Sequence, residues 1–177
     1  MKKIAIIFSL LIFSCGGEVT IDNSENQEIF NNNVENFKKS LEAFAAEDVD
    51  AFMEVFADSL KWTGPDKKLM SEYDSKDALK DALVGYTTLY DNHALKDAVY
   101  FGGNTYNTSG ETSNSPNAVR VYGNWHHTHT ESGVDVSHKW MAVMWFDADG
   151  KIHQFNDFFD VGGFLVQLWQ LVLMKVG

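Results

Sequence analysis

Two long runs of alternating apolar and polar residues, Val119 to Thr130 and Val134 to Phe146, constrain this chain more than anything else in it. A period of two is that of a half-buried β-strand, and Ser132-Gly133 between the runs reads as a two-residue hairpin turn. With that turn Glu131 pairs with Val134. His127 then faces His138, Trp125 faces Trp140, Gly123 faces Ala142, Val121 faces Met144 and Val119 faces Phe146. Alternation places all of these on one face, which is mostly apolar and gathers His127, His129 and His138 at one end. The opposite face carries Arg120, Tyr122, Asn124, His126 and Lys139, interrupted by Met141, Val143 and Trp145.

The period is different before His93. Asn33 reads as an N-cap, followed by Val34, Phe37, Leu41 and Phe44 at spacings of 3, 4 and 3 on one helix face. Asp48 reads as the cap of a second helix with Phe52, Val55 and Phe56 inward. Leu60 to Thr63 suits a short strand before the Gly64-Pro65 break. Ser75 caps a third helix whose face is Leu79, Ala82, Leu83, Tyr86 and Leu89 or Tyr90. Leu95, Val99 and Phe101 mark a first long strand, and residues 102–117 are polar enough for a long loop. Asp149-Gly150-Lys151-Ile152 opens a last strand running to Phe159. Helices first and strands second predict an α+β domain, with helices packed on one face of an antiparallel sheet.

At 177 residues one domain suffices, and 45% apolar residues suit a globular body. A formal charge of −11, with no Lys/Arg run beyond the first residues, argues against nucleic acid as a partner. Lys2 and Lys3 followed by the apolar Ile4 to Phe13 form a leader too short to cross a bilayer as a helix. Cys15, directly after Ser14, is the only cysteine, so no internal disulfide exists. The Ile12-Phe13-Ser14-Cys15 ending resembles the lipobox of bacterial lipoproteins. That resemblance implies cleavage after residue 14, a lipid on Cys15 and a place in the bacterial cell envelope, held at a membrane by the anchor. Residues 15–33, rich in Asn, Glu and Ser, read as a flexible tether, and residues 34–177 as the domain.

Within the domain, His127-Thr128-His129-Thr130-Glu131, Gly150-Lys151-Ile152, and Asp160 followed seven residues later by Gln167-Leu168 stand in a telling order. Together with the element order they resemble the SnoaL-like group, named after a polyketide cyclase, of the nuclear transport factor 2-like superfamily. The resemblance covers roughly Val34 to Leu168. It implies a cone-shaped, curved antiparallel sheet with the N-terminal helices on its concave face. It also implies a pocket beneath them and a convex face that often meets a second subunit, hence a homodimer.

Several residues in that frame can carry chemistry. His127, His129 and His138 could serve as acid/base groups, bind a metal, or simply sit wet at the open end of the hairpin; no metal and no cofactor is expected. The resemblance implies an aspartate in a largely apolar cavity as acid/base group, and Asp157 and Asp160 are the candidates. Alternation puts them on opposite faces unless the strand ends or bulges, which favours Asp157 for chemistry and Asp160 as the cap of the next helix. Catalytic candidates are therefore Asp157, Asp160, His127 and His138. Ligand-contact candidates are Trp62, Tyr86, Tyr90, Trp125, His129, Trp140 and Met144, with His93 beside them. The apolar tail, Phe164 to Met174, reads as a helix closing the pocket or buried in a homodimer. The leading expectation is an anchored domain with a pocket for a small, partly apolar molecule. Its alternatives are a proton-transfer enzyme of isomerase, dehydratase or cyclase type, and a protein-interaction module at the membrane.

Overall fold

The computed structural model describes residues 24–69, 71–102 and 115–176. The leader, Cys15 and most of the long loop after residue 102 lie outside the described residues. The elements are α1 (Ser24–Ala45), α2 (Val49–Met53), β1 (Phe56–Thr63), α3 (Lys76–Leu89), β2 (Tyr90–Gly102), β3 (Ala118–His129), β4 (Val134–Phe146), β5 (Ile152–Phe158) and α4 (Val161–Val176). The described strands form one sheet in the order β1-β5-β4-β3-β2. This is an α+β fold with helices on the concave face, as the alternation and element order require.

Three helix starts follow from side-chain caps. Asp48 accepts from the Ala51 N–H at 3.0 Å and Ser75 from the Ala78 N–H at 3.2 Å. Asp160 accepts from the Gly163 N–H at 2.9 Å. Each side chain satisfies one of the donors that a helix start leaves free. Asn33, in contrast, is no cap. α1 begins nine residues earlier, and Asn33 is a buried interior residue whose amide donates to the Pro116 carbonyl at 3.4 Å. Residues 24–33, expected as tether, are therefore part of the helix. Phe30, four residues before Val34, extends the apolar stripe by one turn through a segment whose polar composition conceals it.

The second helix is shorter than expected and the strand after it longer. α2 ends at Met53, and Val55-Phe56 joins the sheet because the Val55 carbonyl accepts from the Ile152 N–H at 2.8 Å. β1 runs parallel to β5 and every other described pairing is antiparallel, so the sheet is mixed. A parallel neighbour requires a long crossover, and here α3 and strands β2 to β4 supply it.

The central hairpin differs from expectation in register. Its connection holds four residues, Thr130 to Gly133, and His129 pairs with Val134. The Gly133 N–H donates to the His129 carbonyl at 2.7 Å, with Gly133 at φ 62°. The His129 ring and the Ser132 hydroxyl, 2.9 Å apart, brace the loop from inside. Trp125 therefore faces His138, Gly123 faces Trp140 and His127 faces Val136. A slip of two residues preserves the faces. Val119, Val121, Ala142 and Met144, each 0% exposed, form the floor of the core, as the alternation predicted.

Phe30→Ala tests the extended helix. Truncating a phenylalanine only 4% exposed costs about 3–5 kcal/mol of stability in urea unfolding. A loss below about 0.5 kcal/mol, the scale of a surface change, would remove residues 24–33 from the fold.

Candidate functional site

Helices laid on a curved sheet leave space where the curvature is greatest. Here they enclose a cavity of about 230 Å³ between α1, α2, α3 and the concave face. Its walls are mostly aromatic. Phe37 and Phe44 of α1 and Phe52 of α2 cover it from above, with Trp125, Trp140 and Phe155 from the sheet. Trp125 and Trp140 lie 5.8 Å apart edge to face, and Phe44 meets Trp125 at 5.5 Å.

Asp157 is the acidic group in this wall. A bulge in β5 puts it there. Phe146 pairs with Ile152 and Met144 with Phe155, so β5 spends one residue more than β4 over that interval. Ile152 and Phe155 both point inward as a result, and Asp157, paired with the inward Ala142, follows them. The Trp62 indole N–H donates to its Oδ1 at 2.9 Å, and the Trp140 indole N–H beside it also favours the charged form. Burial pushes the carboxyl up to about 6, while the two indoles oppose the rise. The residue is half-buried and its carboxyl lines the cavity.

Tyr86, His127 and His138 stand at the other end. Burial, then the neighbouring His93, drives the His127 ring down to about 3, and burial with His126 nearby takes His138 to about 4. Both rings are neutral at pH 7. Burial also raises the Tyr86 hydroxyl above its usual range, so it remains a phenol. The His127 and His138 rings stack at 5.5 Å, and Phe164 of α4 closes on His138 at 4.7 Å.

His93 is the residue the sequence undervalued. Its Nδ1 lies 2.9 Å from Nδ1 of His127, so one ring donates its proton to the lone pair of the other. Burial lowers its basicity as well. It faces inward because β2 changes register between Asp91 and Ala94, with Asn92 at φ 56°. A strict period of two cannot show this.

Of the expected site residues, Trp62, Tyr86, Trp125, His127, His138, Trp140 and Asp157 line the cavity. Four do not. Asp160 caps α4, as its spacing suggested. Met144 is sealed in the core below the cavity, with no exposed surface. Tyr90 packs with Val134, Val136 and Phe164 in a separate cluster. His129 turns to Ser132 in the hairpin loop, so the three histidines do not converge. Among the described residues no group of three or more His, Cys, Asp or Glu is placed to hold a metal ion. The helix residues Phe37, Leu41, Phe44, Phe52 and Leu83 complete the wall. Their spacing had marked them as helix faces, and the sheet's curvature makes part of those faces cavity lining.

No protein-family model matches the chain, and no curated protein matches it. Solved structures do. A provisionally assigned isomerase from Bacillus subtilis superposes with a TM-score of 0.59 at 15% identity, over 75% of this chain and 88% of that one. A provisionally assigned polyketide cyclase from Xanthomonas campestris gives 0.55 at 18% identity, over 83% and 98%. A nuclear transport factor 2-like protein from Burkholderia thailandensis gives 0.51 at 18% identity, over 82% and 97%. The fold is that of the nuclear transport factor 2-like proteins.

Proposed function

We propose that the concave cavity binds a small, uncharged, largely apolar molecule, and that Asp157 is the group that recognises its polar end. The reading rests on the Asp157 carboxyl: among the described residues it is the acid in an aromatic cavity, hydrogen-bonded by the Trp62 indole and raised to about 6. Among the described residues no Lys or Arg lines the wall. An anionic ligand would find no counter-charge, and burying it would cost several kcal/mol. A cavity near 150 Å³ admits benzene, so about 230 Å³ suits a one- or two-ring molecule. The SnoaL-like motif order, and solved relatives described as polyketide cyclases and an isomerase, agree with such a ligand.

A second reading is proton transfer, and the raised carboxyl favours it. A base that titrates near 6 is ionised at neutral pH yet close enough to it to exchange protons readily. Asp157 would take a proton from a carbon next to a carbonyl, and the electron pair left behind would be held as the enolate.

Titration of the full chain with 2-naphthol, followed by tryptophan fluorescence, tests both readings with one variant. Binding is expected to saturate and to strengthen as pH rises through about 6, because the ionised carboxylate accepts the naphthol O–H. 2-Naphthoate should bind about ten-fold more weakly or worse. Asp157→Asn should abolish the pH dependence. Equal binding of both probes, or none, would remove the pocket reading. Hydrogen–deuterium exchange at the α-carbon of 1-indanone, reduced about 100-fold or more in Asp157→Asn, would establish proton transfer in addition.

From the leader alone we also propose that Cys15 carries a lipid that holds the domain in the cell envelope. The support is the charged start, the short apolar run and the small residue before the cysteine. Cells fed radiolabelled palmitate should label the wild-type chain and not Cys15→Ser. Equal labelling of both would rule the anchor out.

A further inference from the structure

Helix α4 is apolar on two opposite sides, and its own domain covers one. Phe164, 6% exposed, packs on His138 and Tyr90, and Leu168 joins the same cluster. Beside them the Gln167 side-chain carbonyl accepts from the Ser137 backbone N–H at 2.9 Å and fixes the helix along β4. At 100° per residue, Leu165, Val166, Trp169, Leu173 and Met174 occupy the half-circle turned away from that contact. They are 46%, 55%, 67%, 66% and 71% exposed. A helix apolar all round is normally covered all round.

The surface points to its occupant. These five residues with Val161 expose on the order of 700 Å² per chain, taking about 250 Å² for a whole tryptophan. Two such stripes, fully covered, would bury about 1,400 Å², within the range of specific interfaces. Charge agrees. The chain carries −11, so two copies can approach only where carboxylates do not meet, and α4 has no acid and one charge, Lys175. A lipid surface fits less well. Helices that lie in a bilayer interface present a basic polar face, which α4 lacks, and no described helix is long and apolar enough to cross a membrane. The first half of α1 lies near Pro116 and Asn117, at the end of the sheet away from α4. An anchor on the preceding residues would therefore hold the other end of the domain toward the membrane.

We propose that α4 is the dimerisation element of this protein, docking against α4 of a second copy with Trp169 at the centre of the shared stripe. This goes beyond the ligand-binding reading and does not depend on it. It also ties assembly to the cavity, because the same helix presses Phe164 onto the His138 end. In a two-fold contact a central residue meets its own counterpart. That gives a decisive test by sedimentation equilibrium of the full chain.

Wild type is expected to sediment as a dimer. Trp169→Glu and Trp169→Lys, each with unchanged circular dichroism, should each weaken association about 100-fold or more. Mixing the two variants should restore a dimer through the Glu–Lys pair. A monomeric wild type, a Trp169→Glu chain that still dimerises, or a mixture that stays monomeric would each overturn the proposal. So would a monomer that floats with phosphatidylcholine vesicles and loses that binding in Trp169→Glu, since the occupant would then be lipid.

Discussion

One extra residue in β5, between Ile152 and Phe155, determines what the rest of the molecule can do. A regular strand with Ile152 inward would turn Asp157 outward, away from the helices. The bulge lets Ile152 plug the core at one end of the strand while Asp157 enters the cavity at the other. The neighbouring strand is irregular over the same stretch, since β1 shifts register against β5 between Phe56 and Lys61. That shift brings Trp62 opposite Phe155, close enough for its indole to reach Asp157. Bulges recur where a sheet must re-aim a side chain, and here the re-aimed group is the ionisable one.

The cavity sets the terms for every polar group beside it. Burial favours neutral forms, so the Asp157 carboxyl rises to about 6 and the His127 and His138 rings fall to about 3 and 4. At pH 7 the wall therefore presents one carboxylate at one end and uncharged donors and acceptors at the other. The Trp62 hydrogen bond, with the Trp140 indole beside it, keeps the carboxylate from being an uncompensated buried charge. His93 performs a similar service for His127 by engaging its Nδ1. The site is thus polar at its two ends and aromatic between.

Side-chain faces were legible in the sequence because they depend only on period. Val119, Val121, Trp140, Ala142 and Met144 point inward as alternation requires, and Asp48, Ser75 and Asp160 cap helices as their types suggest. Departures from regularity were not legible. The hairpin register depends on whether the turn takes two residues or four, which the His129–Ser132 contact decides in three dimensions. His93 reaches His127 through a shift in β2, and the start of α1 lies in a polar stretch with one informative phenylalanine. Tyr90 and Met144 lie on the right face but beyond the cavity, whose extent depends on how closely α1 and α3 approach the sheet. Asp157 was distinguishable from Asp160 because the helix-capping spacing claimed the second.

Helix α4 connects the site to the outside of the molecule, with Phe164 against the histidine end of the cavity and Trp169 facing away. The function of the cavity depends on Asp157 being enclosed beside the Trp62 indole. A carbon-13 NMR pH titration of the side-chain carboxyls, with Asp157→Asn used to assign the signal, measures this directly. A midpoint for Asp157 near 6 is the expected result. A midpoint near the ordinary 3.8 would mean that water reaches the carboxyl freely, and the enclosed acid on which the function depends would not exist.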